Sequence, residues 1–262
     1  MKRLMLATLR FCLRSMTRLI PKLPSVLEYE MRLVQGKGAG AETIFLETTQ
    51  ALSFLGLDDS KNLTVLDIGA NIGNYTQALV NQRPNAQIFA FEPSKTAQAF
   101  LEMRFKNNKR ISLLPLALSD EEGIRKLWAP SPGSGLASLS KRKLSHSSIN
   151  FDHFEEVEVT TLDKWNETWN LSPDLIKLDV EGHELSVLNG AKKILESTRV
   201  VQFEFGGANI DTKTYFQDFW YFFKDRGFRI YRIAQIGPIE IEMYSESEEC
   251  FLTTNFLAVK VG

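Results

Sequence analysis

Thr64-Val65-Leu66-Asp67-Ile68-Gly69-Ala70-Asn71-Ile72-Gly73 decides the fold. An apolar run ends on an acid, turns through glycines and passes into helical spacing over 75–80. The stretch therefore reads as a buried strand at 64–68, a tight turn and a helix. Gly69 and Gly73 allow a sharp turn and close approach of the backbone to a ligand. Counting from Gly69, Asn71 and Asn74 stand where a dinucleotide fingerprint would carry its second and third glycines. A pyrophosphate site is thereby disfavoured and a nucleoside site stays open.

Working outward, short β-rich runs at 88–91, 111–114, 175–178 and 200–205 alternate with helical patterns at 96–105 and 185–194. Such alternation predicts an α/β fold, a mainly parallel sheet with helices on both faces and ligands at the carboxyl ends of the strands. Beyond residue 205 the pattern loosens into an aromatic helix at 215–223 and strands at 228–233 and 256–259. The span 131–150, SPGSGLASLSKRKLSHSSIN, reads as a long loop. It is either a lid, with Lys141, Arg142 and Lys143 offering positive charge to an acceptor, or a solvated insertion.

Two further motifs end strands. Glu92, in Phe91-Glu92-Pro93, follows Gly73 by nineteen residues, the separation at which an acid accepts hydrogen bonds from ribose hydroxyls. A helix N-terminal acid facing the dipole is the alternative. Lys177-Leu178-Asp179-Val180-Glu181-Gly182-His183-Glu184 packs five ionisable side chains around another strand end. Such a cluster suits a general base, a divalent metal or the orientation of a cationic group, or else an acidic helix start. His183, one of three histidines, titrates in a range fit for a base; Asp179 is nearer the strand end and is preferred, with Glu204 at the next strand end as a third candidate.

These residues carry a resemblance. DIGANIG (67–73), FEP (91–93), ALSD (117–120), GLASL (135–139), TLD (161–163), KLDVEGHE (177–184), LNGA (188–191) and FEF (203–205) occur in the order found in the FkbM family of S-adenosylmethionine-dependent methyltransferases. The chain resembles that family over roughly 63–205, with a weaker tail to 259. The resemblance implies a Rossmann-like class I methyltransferase fold with a seven-stranded sheet whose last strand is antiparallel. It implies that Asp67, Gly69, Asn71 and Gly73 form the cofactor loop and that Glu92 binds the ribose. Ala117, Leu118 and Ser119 would lie by the adenine edge, and Asp179 beside the methionine end and the acceptor. The cofactor would be S-adenosylmethionine. The acceptor would be a hydroxyl of a sugar, in a glycan or glycolipid, or of a natural product. An alcohol is a weak nucleophile, so a base or a magnesium ion near Asp179 is expected. The rivals are an NAD-dependent oxidoreductase, which the missing glycines oppose, and an idle cofactor-fold scaffold in a membrane-associated glycan assembly complex.

Composition sets the remaining bounds. The chain has 262 residues, 44% of them apolar and 24% charged, with a net charge of −1, so neither a disordered chain nor a general nucleic-acid binder is expected. Two cysteines, Cys12 and Cys250, make no disulfide framework, and a cytoplasmic setting follows. Charge is uneven: residues 1–22 hold Lys2, Arg3, Arg10, Arg14, Arg18 and Lys22 and no acid. This reads as a basic helix packed on its own domain or on a second subunit of a homo-oligomer, with an anionic inner membrane face as the alternative partner. Residues 1–40 are taken as this extension and 41–262 as the methyltransferase domain.

Overall fold

The computed structural model describes residues 20–38, 43–56 and 62–261. Most of the basic segment, Cys12 and the expected boundary at 40/41 lie outside the described residues. The first described helix, α1 (Leu23–Val34), starts with Pro24 in its first turn and buries none of its residues. The turn after it is tied to the body: Arg232 Nε donates to Gln35 O at 2.6 Å, and Lys37 Nζ to Ser247 O at 2.8 Å. Among the described residues no helix is long and apolar enough to cross a membrane.

The core runs α2 (Ile44–Ser53), β1 (Thr64–Ile68), α3 (Asn74–Gln82), β2 (Gln87–Phe91), α4 (Lys95–Phe105) and β3 (Ile111–Leu114). A separate three-stranded sheet follows, from β4 (Ala117–Leu118), β5 (Gly123–Ala129) and β6 (His153–Thr160). Then come α5 (Leu162–Trp169), β7 (Leu175–Leu178), α6 (Glu184–Asn189), β8 (Val200–Phe205), α7 (Ala208–Thr212), α8 (Phe216–Lys224), β9 (Phe228–Arg232), β10 (Ile239–Glu240) and β11 (Thr254–Lys260). The main sheet is ordered β10-β9-β11-β8-β7-β1-β2-β3. β3, β2, β1, β7 and β8 are parallel, and β11 is antiparallel to both β8 and β9.

The expected seven strands are thus eight. β10 adds an antiparallel edge of two residues, too short to show any alternation in the sequence. The helix expected over 185–194 stops at Asn189 and is capped by Gly190, where a side chain would lie 2.1 Å from Ser119 O; a 3-10 turn at Ile194–Glu196 follows.

Strand alternation splits the core between the two faces. Leu66, Ile68, Ile176, Leu178, Phe203 and Phe256 pack with α5, α6 and α8 on one face, where Phe203 stacks on Phe219 at 5.0 Å. Val65, Leu175, Val200 and Leu257 pack with α2, α3 and α4 on the other. The second face also carries Asp67, Lys177 and Gln202, side by side in the β1–β7–β8 register. The chain leaves β1 toward β2 and β3 and later returns to its other side at β7. The sheet order therefore reverses between β1 and β7, and a crevice opens beyond their carboxyl ends.

Candidate active site

Strand register builds the rim. Ile68 pairs with Phe91 and with Leu178, and Leu178 with Phe203, so the next residue of each strand stands in one row: Gly69, Glu92, Asp179 and Glu204. Gly69 sits at φ +80°, and a Cβ there would lie 1.8 Å from Asp179 O. Only glycine allows β1 and β7 to approach so closely at their ends. Asn71 (φ +48°) and Glu181 (φ +53°) are non-glycine residues in the left-handed region, one in each motif turn. Strain of this kind persists where the surroundings impose it, commonly at functional sites.

Two clefts meet on this row. The first, of about 650 Å3, is lined by Gly69, Asn71, Glu92, Leu116, Ala117, Leu118, Leu127, Ser138, Leu139, Asp179, Glu181 and His183, among others. Glu92 is buried at its wall; Oε2 accepts from Asn71 N and Oε1 from Ser94 N, each at 2.8 Å. Burial raises this carboxyl above its ordinary range, and the two amides oppose the rise. Each oxygen keeps a lone pair for a further donor. His183 Nδ1 is buried without a partner, while Nε2 lies 2.9 Å from Ser140 Oγ.

The second cleft, of about 590 Å3, shares Gly69, Asn71 and Asp179 with the first and adds Ile44, Glu47, Tyr75, Lys177, Glu204 and Asn255. A buried polar layer supports it. Thr76 Oγ1 donates to Asp67 Oδ2 at 2.6 Å, and Tyr75 OH to Gln202 Oε1 at 2.6 Å. Gln202 Nε2 in turn donates to Glu47 Oε2 at 2.8 Å. Lys177 Nζ reaches Gly69 O at 3.1 Å, Asp179 at 3.3 Å and Asp67 at 3.4 Å. Burial works against the Lys177 charge, but Asp179 and Asp67 outweigh it and hold the ammonium above its usual value. Burial, reinforced by Asp179, Glu181 and Glu184, pushes Glu204 well above the usual carboxylate range.

The expected site residues divide. Gly69, Asn71, Glu92, Ala117, Leu118, Asp179 and His183 line the first cleft, and Glu204 the second. Asp67, Gly73 and Ser119 line neither. Asp67 is fully buried and anchors the turn through Thr76 and Lys177. Gly73 starts α3 against Leu101 and Phe105, and Ser119 bonds Asp120 behind the wall. Burial first, with Arg125 adding to it, pushes His183 down to about 4, so the imidazole is neutral near pH 7 and stands away from the second cleft. Asp179 is the open member of its motif: its side chain is 40% exposed where the clefts join.

Glu47, Tyr75, Gln202 and Asn255 escaped sequence reading. Gln202 is a polar residue in an apolar strand, a weak signal, whereas Glu47, Tyr75 and Asn255 stand beside other polar residues, and each reaches the site through tertiary packing alone. The span 131–150 carries no strand and only a 3-10 turn (Ser145–Ser147), yet it is neither free nor merely solvated. Ser138 bridges Trp128, its Oγ donates to Glu181 O at 2.8 Å, and Arg142 Nη1 lies 2.6 Å from Glu181 Oε2 and its Nε 3.3 Å from Asp211. Lys141 is taken up by Asp152 at 2.6 Å. The loop is a wall of the first cleft, and of its three cations only Lys143 keeps its side chain without an ion pair among the described residues.

The chain is 35% identical over 152 residues to the 2-O-methyltransferase NoeI of Sinorhizobium fredii, covering 54% of this chain and 62% of that protein. It is 31% identical over 165 residues to the hexuronic acid methyltransferase AglP of Haloferax volcanii, covering 60% of this chain and 62% of that protein. The match thus spans under two thirds of the length of either relative. Among solved structures, an rRNA methylase from Streptococcus thermophilus aligns over 84% of this chain and 95% of its own at 11% identity, with a TM-score of 0.44. Residues 67–230, more than half of the chain, match the methyltransferase FkbM domain. The chain belongs to the FkbM methyltransferase family.

Proposed function

We propose that the protein transfers a methyl group from S-adenosylmethionine to a hydroxyl oxygen of a sugar. The observation that carries this reading is the rim row itself: Gly69, Glu92 and Asp179 line one cleft, and Asp179 joins it to a second. The fit of the cofactor rests on the first cleft. Glu92 offers free lone pairs to ribose hydroxyls, and Leu116, Leu118, Leu127 and Leu139 offer an apolar slot to the base. The sugar follows from the two relatives, one named for 2-O-methylation and one for hexuronic acid.

The cofactor supplies a methyl group already activated on a sulfonium. The protein's work is alignment, which removes much of the entropic barrier. When bound, S-adenosylmethionine would give up its methyl group with the carbon–sulfur electrons staying on sulfur as the carbon–oxygen bond forms, and Asp179 would take the proton of the acceptor hydroxyl. Carboxylate oxygens of Asp179, Glu181 and Glu204 all lie within 4.8 Å of one another, as a magnesium site would require. Two of the three already face cations, Asp179 with Lys177 and Glu181 with Arg142, so the donor set fits a metal poorly. The proton route above uses none.

Calorimetry with S-adenosylmethionine and NAD, followed by transfer of labelled methyl to sugar acceptors, tests the reading. Binding of the first alone is expected. Glu92→Ala is expected to weaken it by about 1–3 kcal/mol, since ribose hydroxyls lose a buried partner. Asp179→Asn should abolish turnover with cofactor affinity kept within about tenfold. Chelation by EDTA should leave the rate unchanged. Binding of NAD alone, or near-normal turnover by Asp179→Asn, would overturn the assignment.

A further inference from the structure

The polar groups around the second cleft are not all spoken for. Glu204 and Asn255 face each other across the antiparallel β8–β11 pair, and both line the cleft. Neither side chain hydrogen-bonds to another described residue, although Asn255 is only 9% exposed. Their polar atoms are not among the fully enclosed ones, so both side chains keep donors and acceptors open to whatever fills the cleft. Glu47 completes the wall from α2, with Thr43 Oγ1 on one oxygen and Gln202 Nε2 on the other.

The sign of the cleft narrows the ligand. Among the described residues three carboxyl groups, Glu47, Asp179 and Glu204, face it, Glu47 and Glu204 held toward protonation by burial, and its one ammonium, Lys177, is buried between Asp67 and Asp179. Among the described residues no arginine lines it. A carboxylate on the ligand would meet the same burial and the same neighbouring acids that push these carboxyls up, would find the ammonium already paired, and would have no guanidinium of the described lining to fork onto. Hydroxyls match the wall: each can donate to a carboxylate oxygen and accept from the Asn255 amide.

Resting on the proposed sugar methyl transfer, we infer that the second cleft is the acceptor site and that it takes an uncharged, hydroxyl-rich ring, a neutral sugar rather than a uronic acid, held by Glu47, Glu204 and Asn255. This sets the chain apart from its relative named for hexuronic acid. Of the three, Glu204 lies inside residues 67–230, and Glu47 and Asn255 lie outside them.

The test uses the full chain, labelled S-adenosylmethionine and para-nitrophenyl glycosides in matched pairs, glucoside with glucuronide and galactoside with galacturonide. The neutral member of at least one pair should be methylated with at least tenfold higher kcat/KM. Asn255→Ala, checked by thermal melting to be folded, should raise the acceptor KM severalfold and leave cofactor affinity within about twofold. Uronides used equally or better would overturn the inference while leaving the sugar methyltransferase reading intact. So would an unchanged KM in Asn255→Ala. Cofactor binding with no glycoside methylated would count against both.

Discussion

At the scale of single residues, the acids and bases of one motif have been given different work by their surroundings. Asp179 stands open at the junction of two clefts, whereas Glu184 two turns of chain later braces the loop by accepting from Val180 N and Gly182 N. His183 is the sharpest case. Its partner-free Nδ1 and its burial favour the neutral ring, so its folded value of about 4 lies below the ordinary 6.5. A depressed histidine contributes stability that is complete above pH 6.5 and is lost as pH falls toward 4, because the unfolded chain binds the proton first. The loss amounts to roughly 3 kcal/mol. Glu184, pushed up to about 7 by burial, acts in the opposite sense over the same range, so the effect must be read as a difference. His183→Gln, whose Nε2 can keep the Ser140 contact, is expected to gain on the wild type by that amount between pH 6.5 and 4 in urea unfolding. Equal pH dependence of the two proteins would contradict a neutral buried imidazole.

At the scale of elements, the loop between β5 and β6 joins the clearest of the strand-end motifs to the least regular segment. It reaches the Asp179 motif through Ser138, Ser140 and Arg142, and the buried Arg142–Glu181–Asp211 arrangement is its main tie. Removing one partner of a buried ion pair leaves the others uncompensated and costs about 3–5 kcal/mol. Arg142→Ala should therefore lower the melting temperature and speed hydrogen exchange over 131–150, with a weaker hold on the cofactor because that loop walls its cleft. Exchange unchanged in the variant would mean that Ser138 and the Trp128 bridge hold the loop alone. The long strand–helix units around it were readable because their apolar periods are strong and local. β4, β5 and β6 were not: in His153–Thr160 only Val157 and Val159 turn inward among charged neighbours, and their burial depends on a partner strand thirty residues away.

At the scale of the whole molecule, legibility followed the same division between local and distant. The motifs at Gly69, Glu92 and Asp179 announce themselves, since each is a strand end with its own turn chemistry, and parallel register alone then sets them in a row. Asp67, Gly73 and Ser119 belong to the same motifs yet serve the frame rather than the cleft, a difference that only side-chain direction reveals. Glu47 and Asn255 had no motif to mark them, because they arrive from opposite ends of the chain, on α2 and on β11. That arrangement has an evolutionary consequence. Among the described residues the first cleft is walled from within 67–230, whereas the second borrows Ile44, Glu47 and Asn255 from outside it. On the assignment proposed above, heredity can edit the two separately: a lineage can change its acceptor through drift outside the shared domain while the donor pocket stays under selection. A library randomised at Ile44, Glu47 and Asn255 and screened twice should show this as a broad spread of acceptor preference over a nearly constant affinity for S-adenosylmethionine.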